Sequence, residues 1–140
     1  MPIALRWRDG GTGVVVTGTG TVTAGDVQAA RAQVEAGTTS ALRHQLVDFT
    51  RVGSATVPFG HLRVLAGADR AAARHSGGLV IAVAAARDAI FGLARYWEAY
   101  AESPFLRTHV FRTVEEAEGW IADALASPPV PTQVRSASRL

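Results

Sequence analysis

The chain has 140 residues, 48% of them hydrophobic and none of them cysteine or lysine. This composition fits one globular domain and excludes disulfide bonds, thiolate nucleophiles and sulfur-ligated zinc. Two of the 14 arginines follow residue 126, so twelve scattered arginines face twelve carboxylates in residues 1–126 and no nucleic acid partner is expected. The longest apolar run, residues 77–86, is shorter than the about 20 residues that a membrane span needs, and we expect a soluble, cytoplasmic protein.

The chain begins with a predicted β-hairpin. Ile3, Leu5 and Trp7 alternate with other residues up to Arg8, a pattern typical of a half-buried strand. The sequence DGGTG then predicts a turn, and the β-branched run VVVTGTG, residues 14–20, predicts the second strand.

Glycines recur in GGTGVVVTGTGTVTAGD, residues 10–26, and suggest a phosphate-binding loop at first sight. Such loops place their glycines between a strand and a helix, and nucleoside triphosphate loops also need a lysine. Here Gly11 and Gly13 precede the valine run of the predicted strand, while Gly18 and Gly20 follow that run. We therefore interpret these glycines as turn residues and expect no cofactor.

The remaining elements alternate between helix and strand. Thr23 followed by Asp26 is a variant capping box, and Thr113 with Glu116 is a regular one at the last helix. LVIAVA, residues 79–84, is apolar throughout and predicts a parallel strand covered on both faces. In chain order we predict a helix ending at Gly37, a strand over 43–52, a helix with Pro58 in its first turn and ending at Gly77, the strand 79–84, a helix over 87–103, a strand over 107–112 and a helix over 113–126.

Each predicted helix carries an apolar stripe at helical spacing, which marks its buried face. The arginines, including Arg31 and those near Asp69, are interpreted as surface charges. Tyr96 and Tyr100 share a helix face and either extend a core helix or line a groove or partner surface. The stripes are Val27, Ala30 and Val34; Leu62, Leu65 and Ala66; Ile90, Leu93, Ala94, Trp97 and Ala101; and Ala117, Trp120, Ile121, Ala124 and Leu125.

This order of elements predicts an α/β fold. An N-terminal hairpin followed by alternating helices and strands forms a mostly parallel mixed sheet with helices packed on it. Residues 1–126 are expected to form one domain. Residues 127–140, SPPVPTQVRSASRL, combine three prolines with serines and are predicted to form a mobile tail outside the fold.

Four segments carry a resemblance to a known family: GTVTAGDVQAA, LVDFT, FGLARYWEAY and the ending HVFRTVEEAEGWIADAL. Over residues 3–126 the chain resembles the SpoIIAA-like family, bacterial proteins related to the STAS domain of anti-sigma-factor antagonists and, more distantly, to SEC14-type lipid-binding domains. The resemblance implies a non-enzymatic regulatory or protein-interaction module that binds a protein partner or itself as a homodimer. The SEC14 relationship implies an alternative, a small carrier of an apolar or acidic, lipid-like ligand.

The resemblance also locates a possible phosphorylation switch. STAS proteins that control sigma factors carry a phosphorylated serine at the start of the second helix, where this chain has Val57, Pro58 and Phe59. This departure argues against the switch and leaves Thr56 as the candidate hydroxyl, since a phosphate is favourable near a helix N-terminus.

Catalytic and metal sites have little support in the sequence. Asp48, His61 and Ser54 lie in one strand-loop-helix unit, but their spacing does not require a hydrolytic triad and no Gly-x-Ser-x-Gly elbow is present. We interpret Asp48 as a residue that hydrogen-bonds the chain after its strand. The four histidines are isolated in sequence, so we expect neither a metal site nor an enzyme.

A binding site is expected beyond the carboxyl ends of the parallel strands, where helix N-termini meet the sheet. An arginine beside helix amides attracts a carboxylate or phosphate group. The predicted ligand- or partner-binding residues are Thr50, Arg51, Ser54, Thr56 and Phe59 after the third strand, with Arg87 and Asp88 after the fourth.

Overall fold

Five strands and four helices make up the protein in a computed structural model that describes residues 2–38 and 42–127. The order is a hairpin followed by alternating helices and strands, as predicted. The strands are β1 (Ile3–Arg8), β2 (Gly13–Thr23), β3 (His44–Thr56), β4 (Leu79–Ala84) and β5 (Leu106–Phe111). The helices are α1 (Ala24–Gly37), α2 (Phe59–Ser76), α3 (Asp88–Ala101) and α4 (Val114–Ala126).

The strands form a single mixed sheet in the order β1-β2-β3-β4-β5. β1 runs antiparallel to β2, and every other neighbouring pair is parallel. The mostly parallel α/β sheet predicted from the sequence is therefore confirmed, because each helix returns the chain to the same end of the next strand.

The helices cover the two faces of the sheet unequally. Alternate residues of β4 point to opposite faces of the sheet. Ile81 points to the face that α1, α2 and α3 cover, and Ala82 points to the face that α4 covers. All six residues of β4 are buried, as their uninterrupted apolar run predicted.

The stripe predicted for α4 is confirmed at Ala117, Ile121 and Ala124, which are buried. Leu125 is the exception, because it is exposed at the edge of this helix. The prediction that Leu125 belongs to the core is therefore wrong.

The glycines of the first hairpin divide into two kinds. Gly10 and Gly11 have φ values of 65° and 92° in the single 3-10 turn Asp9–Gly11, which confirms them as turn residues. Gly13 and Gly18 lie inside β2, where the rings of His44 and Phe49 from β3 occupy the space that a Cβ atom would need. The interpretation of Gly13 and Gly18 as turn residues is wrong, and their role is to admit these rings.

Helix starts follow the predicted caps with two differences, one at α4 and one at α2. Thr23 and Asp26 form a complete reciprocal capping box at α1. At α4 the Thr113 hydroxyl accepts the Glu116 amide hydrogen and donates to the Glu116 carboxylate, so the two side chains pair with each other. Pro58 is the residue before α2, with an extended backbone, one position earlier than predicted.

The third strand is longer than the predicted range 43–52. β3 pairs with β4 only over His44–Asp48 but continues beside β2 until Thr56 lies opposite Thr23. The extension forms a two-stranded ribbon that projects beyond β4. Val52, which is buried, holds one face of this ribbon against the core.

Two further predictions concern membrane spans and the C-terminal tail. Within residues 2–38 and 42–127, no helix is long and apolar enough to cross a membrane. The predicted tail begins at Ser127, which caps the end of α4, and its remaining residues 128–140 lie outside the described part of the chain.

Candidate functional site

The seven predicted binding residues lie at the expected edge of the sheet but are spread along it. Four of them, Thr50, Arg51, Ser54 and Thr56, belong to β3 itself, because this strand is longer than predicted. Phe59 is the first residue of α2, Arg87 caps α3 and Asp88 is the first residue of α3. All except the half-buried Thr50 are exposed.

Their polar groups pair with residues outside the predicted set. The Ser54 hydroxyl lies 3.0 Å from that of Thr21, and the Asp88 carboxylate accepts a hydrogen bond from Arg112 at 2.8 Å. No hydrogen bond or ion pair in the described part of the chain joins two of the seven residues. Their role in binding stays a prediction.

The suggested triad of Asp48, His61 and Ser54 is not joined by hydrogen bonds. Asp48 Oδ1 accepts the backbone N–H of Thr50 at 3.1 Å and its hydroxyl at 2.6 Å, as expected for a residue that ties down the following chain. Among the described residues, no group of three histidine, aspartate or glutamate side chains is placed to hold a metal ion.

The described part of the chain contains a cavity of about 140 Å³ between the sheet and the helices α1, α2 and α3. Its wall is mainly hydrocarbon, with Val16, Val47 and Ile81 from the strands and Leu65 and Leu93 from the helices. An engineered cavity of about 150 Å³ with a similar apolar wall binds benzene. The space is therefore large enough for a small organic molecule.

Small side chains on the helices account for this cavity. Ala30 of α1 and Ala94 of α3 both line it. Both lie on the apolar stripes predicted from the sequence, but an alanine ends at Cβ and does not reach the opposite wall. The sequence predicts these stripes as buried faces of the helices. The cavity itself depends on the distance between the helices and the sheet.

Three polar side chains, Asp69, Arg31 and Gln45, interrupt the hydrocarbon wall. Arg31 donates to Asp69 Oδ1 and, at 2.9 Å, to the carbonyl oxygen of Ala68. The indole N–H of Trp97 donates to Asp69 Oδ2 at 2.9 Å. Arg31, Asp69 and Trp97 form a polar cluster that connects α1, α2 and α3, with one residue from each helix.

The interpretation of Arg31 as a surface charge is therefore wrong, because Arg31 is paired with the buried Asp69. Asp69 is only 7% exposed, because it faces the cavity from the buried side of α2. A signal was present in the sequence, since Asp69 follows Leu62, Leu65 and Ala66 at helical intervals of seven, four and three. A charged residue on an apolar stripe indicates a buried partner.

Burial raises the pKa of Asp69 to about 6, because the ionised carboxylate loses its contact with water. The positive charge of Arg31 and the hydrogen bonds from Trp97 and Arg31 oppose this shift, while the nearby Glu35 adds to it. The Asp69 carboxyl consequently changes its charge near neutral pH.

A row of aromatic rings lies on the outer surface of α2 and α3. The Phe59 and Tyr96 ring centroids are 4.4 Å apart, those of Tyr96 and Tyr100 are 5.1 Å apart, and the Arg63 guanidinium lies 5.7 Å above the Tyr100 ring. Phe59 is 58% exposed. We call Phe59, Tyr96 and Tyr100 the aromatic row.

Comparison with known proteins supports the fold. No protein-family model and no curated protein matches the chain. Among solved structures, the chain is similar to an uncharacterised protein from Shewanella loihica PV-4, of the DUF3478 family and with a SpoIIAA-like fold. The TM-score is 0.54 at 11% sequence identity, over 85% of this chain and 91% of that one. The protein thus has the SpoIIAA-like α/β fold that its sequence resemblance implied, and at this identity the similarity concerns the fold alone.

Proposed function

We propose that the protein is a small carrier or binding protein that holds a mainly apolar molecule in the cavity between the sheet and α1, α2 and α3. The observation that carries this proposal is an apolar space of about 140 Å³ with one buried polar cluster on its wall. Binding sites for small molecules commonly combine a hydrocarbon lining with a few polar groups that orient the ligand.

The cavity volume limits the ligand to about one aromatic ring or a short alkyl chain. Filling such a space removes apolar ligand surface from water at about 25 cal/mol per Å², while the wall gains van der Waals contacts. Asp69 and Arg31 provide a polar end to the cavity, so a ligand with one polar group enters in one orientation.

We further propose that the protein binds this ligand without converting it. Among the residues that the structure describes, the wall includes no serine, threonine, histidine or tyrosine that could act as a nucleophile. Both oxygens of Asp69 already accept hydrogen bonds from neighbouring helices. These features support a holding role and argue against acid-base turnover at the cavity.

Benzene is a suitable probe for the cavity, because it has no polar group and must bind through the hydrocarbon wall. We expect benzene to raise the melting temperature and to shift amide NMR signals of residues around the cavity. Replacing Ala94 with leucine fills part of the space and is expected to weaken benzene binding at least tenfold. Benzene is titrated into the wild-type protein and into the variant, and the shifts of the amide signals give the two dissociation constants.

Ala99→Leu is the matched control, since Ala99 lies on the exposed side of the same helix. This substitution should leave benzene binding within twofold of the wild-type value. The proposal is rejected if benzene changes no signal, or if Ala94→Leu and Ala99→Leu have the same effect on it.

We propose a second function on a separate observation: the aromatic row binds a second copy of the chain. Neighbouring aromatic side chains at the surface are typical of contact surfaces, and the same patch can meet itself across a two-fold axis. The resemblance to regulatory STAS-like modules, which act through protein contacts, supports this second proposal.

Light scattering at increasing concentration tests the second proposal. We expect a dimer whose formation Phe59→Glu weakens at least tenfold, because the carboxylate would be buried against apolar side chains. Leu125→Glu, at an exposed hydrophobic residue outside the aromatic row, should leave the dimer intact. A monomer at millimolar concentration, or equal effects of the two variants, would contradict self-association.

A further inference from the structure

The polar end of the cavity has more hydrogen-bond donors available than acceptors. A guanidinium carries five N–H groups, and Arg31 directs one to Asp69 and one to the Ala68 carbonyl. Arg31 lines the cavity and its side chain is 20% exposed, so its remaining N–H groups are open to a further partner. A ligand group that accepts several hydrogen bonds suits this end of the cavity.

Two oxygens on one planar group match the guanidinium better than one oxygen does. A carboxyl group can accept two parallel hydrogen bonds from arginine, whereas an alcohol oxygen can use only one of these directions effectively. The amide of Gln45, which also lines the cavity, adds a further donor. The arrangement therefore favours a carboxyl group over a hydroxyl group.

A ligand with an ionised carboxylate would change the net charge of the Asp69–Arg31 pair. The ionised Asp69 and Arg31 already neutralise each other, so a bound carboxylate would add an uncompensated negative charge in a mainly apolar space. The other groups at this part of the wall do not remove this charge. Trp97 from α3 and the cavity-lining Gln45 from β3 are neutral, and the nearby Glu35 from α1 is itself acidic. One proton taken up from solvent restores neutrality.

We infer that the cavity takes a short-chain or single-ring carboxylic acid, whose carboxyl group is held by Arg31 and shares one proton with Asp69. This inference rests on the proposed carrier function and specifies its ligand class. Two carboxyl groups with a single shared proton carry one negative charge, which the guanidinium of Arg31 balances. No bond other than that of the transferred proton is made or broken.

The buried position of Asp69 makes this proton uptake possible near neutral pH. Burial already raises the pKa of the Asp69 carboxyl to about 6, and a second carboxyl group beside it raises the pKa of the pair further. Binding of the acid is therefore expected to depend on pH above 6, whereas binding of a neutral molecule of the same length is not.

Pentanoate and 1-pentanol are matched probes for this inference. Between pH 6.5 and 8 we expect the affinity for pentanoate to fall about tenfold per pH unit, which corresponds to the uptake of one proton. Calorimetry in buffers of different ionisation enthalpy should give an uptake close to one proton at pH 7.5. The affinity for 1-pentanol should change less than twofold over the same range.

Asp69→Asn imitates the protonated carboxyl group and tests the role of the shared proton. We expect this variant to bind pentanoate at least as tightly as the wild-type protein at pH 8, with no pH dependence and no proton uptake. Asp123→Asn, at an exposed acid on α4, is the control and should behave like the wild-type protein. Arg31→Gln should lose pentanoate binding and keep 1-pentanol binding.

The outcomes separate this inference from the proposal on which it rests. If benzene and 1-pentanol bind but pentanoate does not, or if pentanoate binds without proton uptake, the inference is wrong and the carrier proposal stands. If benzene does not bind, the carrier proposal itself fails.

Discussion

Replacing Arg31 with methionine is expected to lower the free energy of unfolding by roughly 3 kcal/mol at pH 8, because the buried Asp69 carboxylate would lose its charged partner. Methionine keeps the unbranched hydrocarbon part of the side chain, so the packing along α1 changes little. Arg31 is partly accessible to water, which places the expected loss at the lower end of the range for a broken buried ion pair.

The expected effect depends on pH in a definite direction. The pKa of Asp69 is raised to about 6 in the folded protein, against about 4 in an unfolded chain, so the folded state holds this proton more tightly. The stability that Asp69 contributes is therefore greatest below pH 4 and is lost as the pH rises through 6. Without Arg31 the pKa rises further, so wild type and variant should differ little at pH 5 and most at pH 8.

Urea unfolding followed by circular dichroism at pH 5 and pH 8 measures this difference. Arg74→Met is the control, since Arg74 is exposed on α2, and it should change stability by less than about 0.5 kcal/mol at either pH. Asp69→Asn should abolish the part of the pH dependence that belongs to this carboxyl group. An equal loss for Arg31→Met at both pH values would show that its charge is not the cause.

Gly13→Ala is expected to destabilise the protein by about 3 kcal/mol, because its methyl group would overlap the buried ring of His44. An ideal Cβ on Gly13 lies 2.1 Å from His44 Cε1, and His44 is only 3% exposed. The two residues are opposite each other on β2 and β3, so relief requires a shift of one strand or displacement of the ring.

A double-mutant cycle with His44→Ala isolates this steric conflict. We expect Gly13→Ala to cost much less in the His44→Ala background, with an interaction energy of at least about 1 kcal/mol. Gly92→Ala is the comparison, since an added Cβ there meets no atom within 4 Å and should stabilise α3 by up to about 1 kcal/mol. Additive effects of Gly13→Ala and His44→Ala would disprove the contact.

The order of elements and most of their boundaries could be predicted from the sequence, because their signals are local. Thr23 and Asp26 are three residues apart and form their capping box within one helical turn. The run at residues 79–84 is apolar at every position, which only a strand covered on both faces explains at that length. The resemblance to the SpoIIAA-like family then agreed with the fold.

Predictions that depended on contacts between distant segments were less accurate. Gly13 was assigned to a turn because its neighbours in sequence are turn residues, whereas the ring that it accommodates comes from a different strand. β3 extends to Thr56 because β2 continues to pair with it, and nothing in residues 53–56 themselves predicts a strand.

The α/β class, the alternation of strands and helices, and the apolar faces that meet in the core could all be predicted from the sequence, since periodicity, caps and turns act over a few residues. The candidate site could not be predicted, because it depends on contacts between distant segments. Asp69 lies 38 residues from Arg31 and 28 from Trp97, and these side chains meet because three helices pack on one face of the sheet. The cavity beside them arises from the separation between those helices and the strands, a distance that no local pattern of residues encodes.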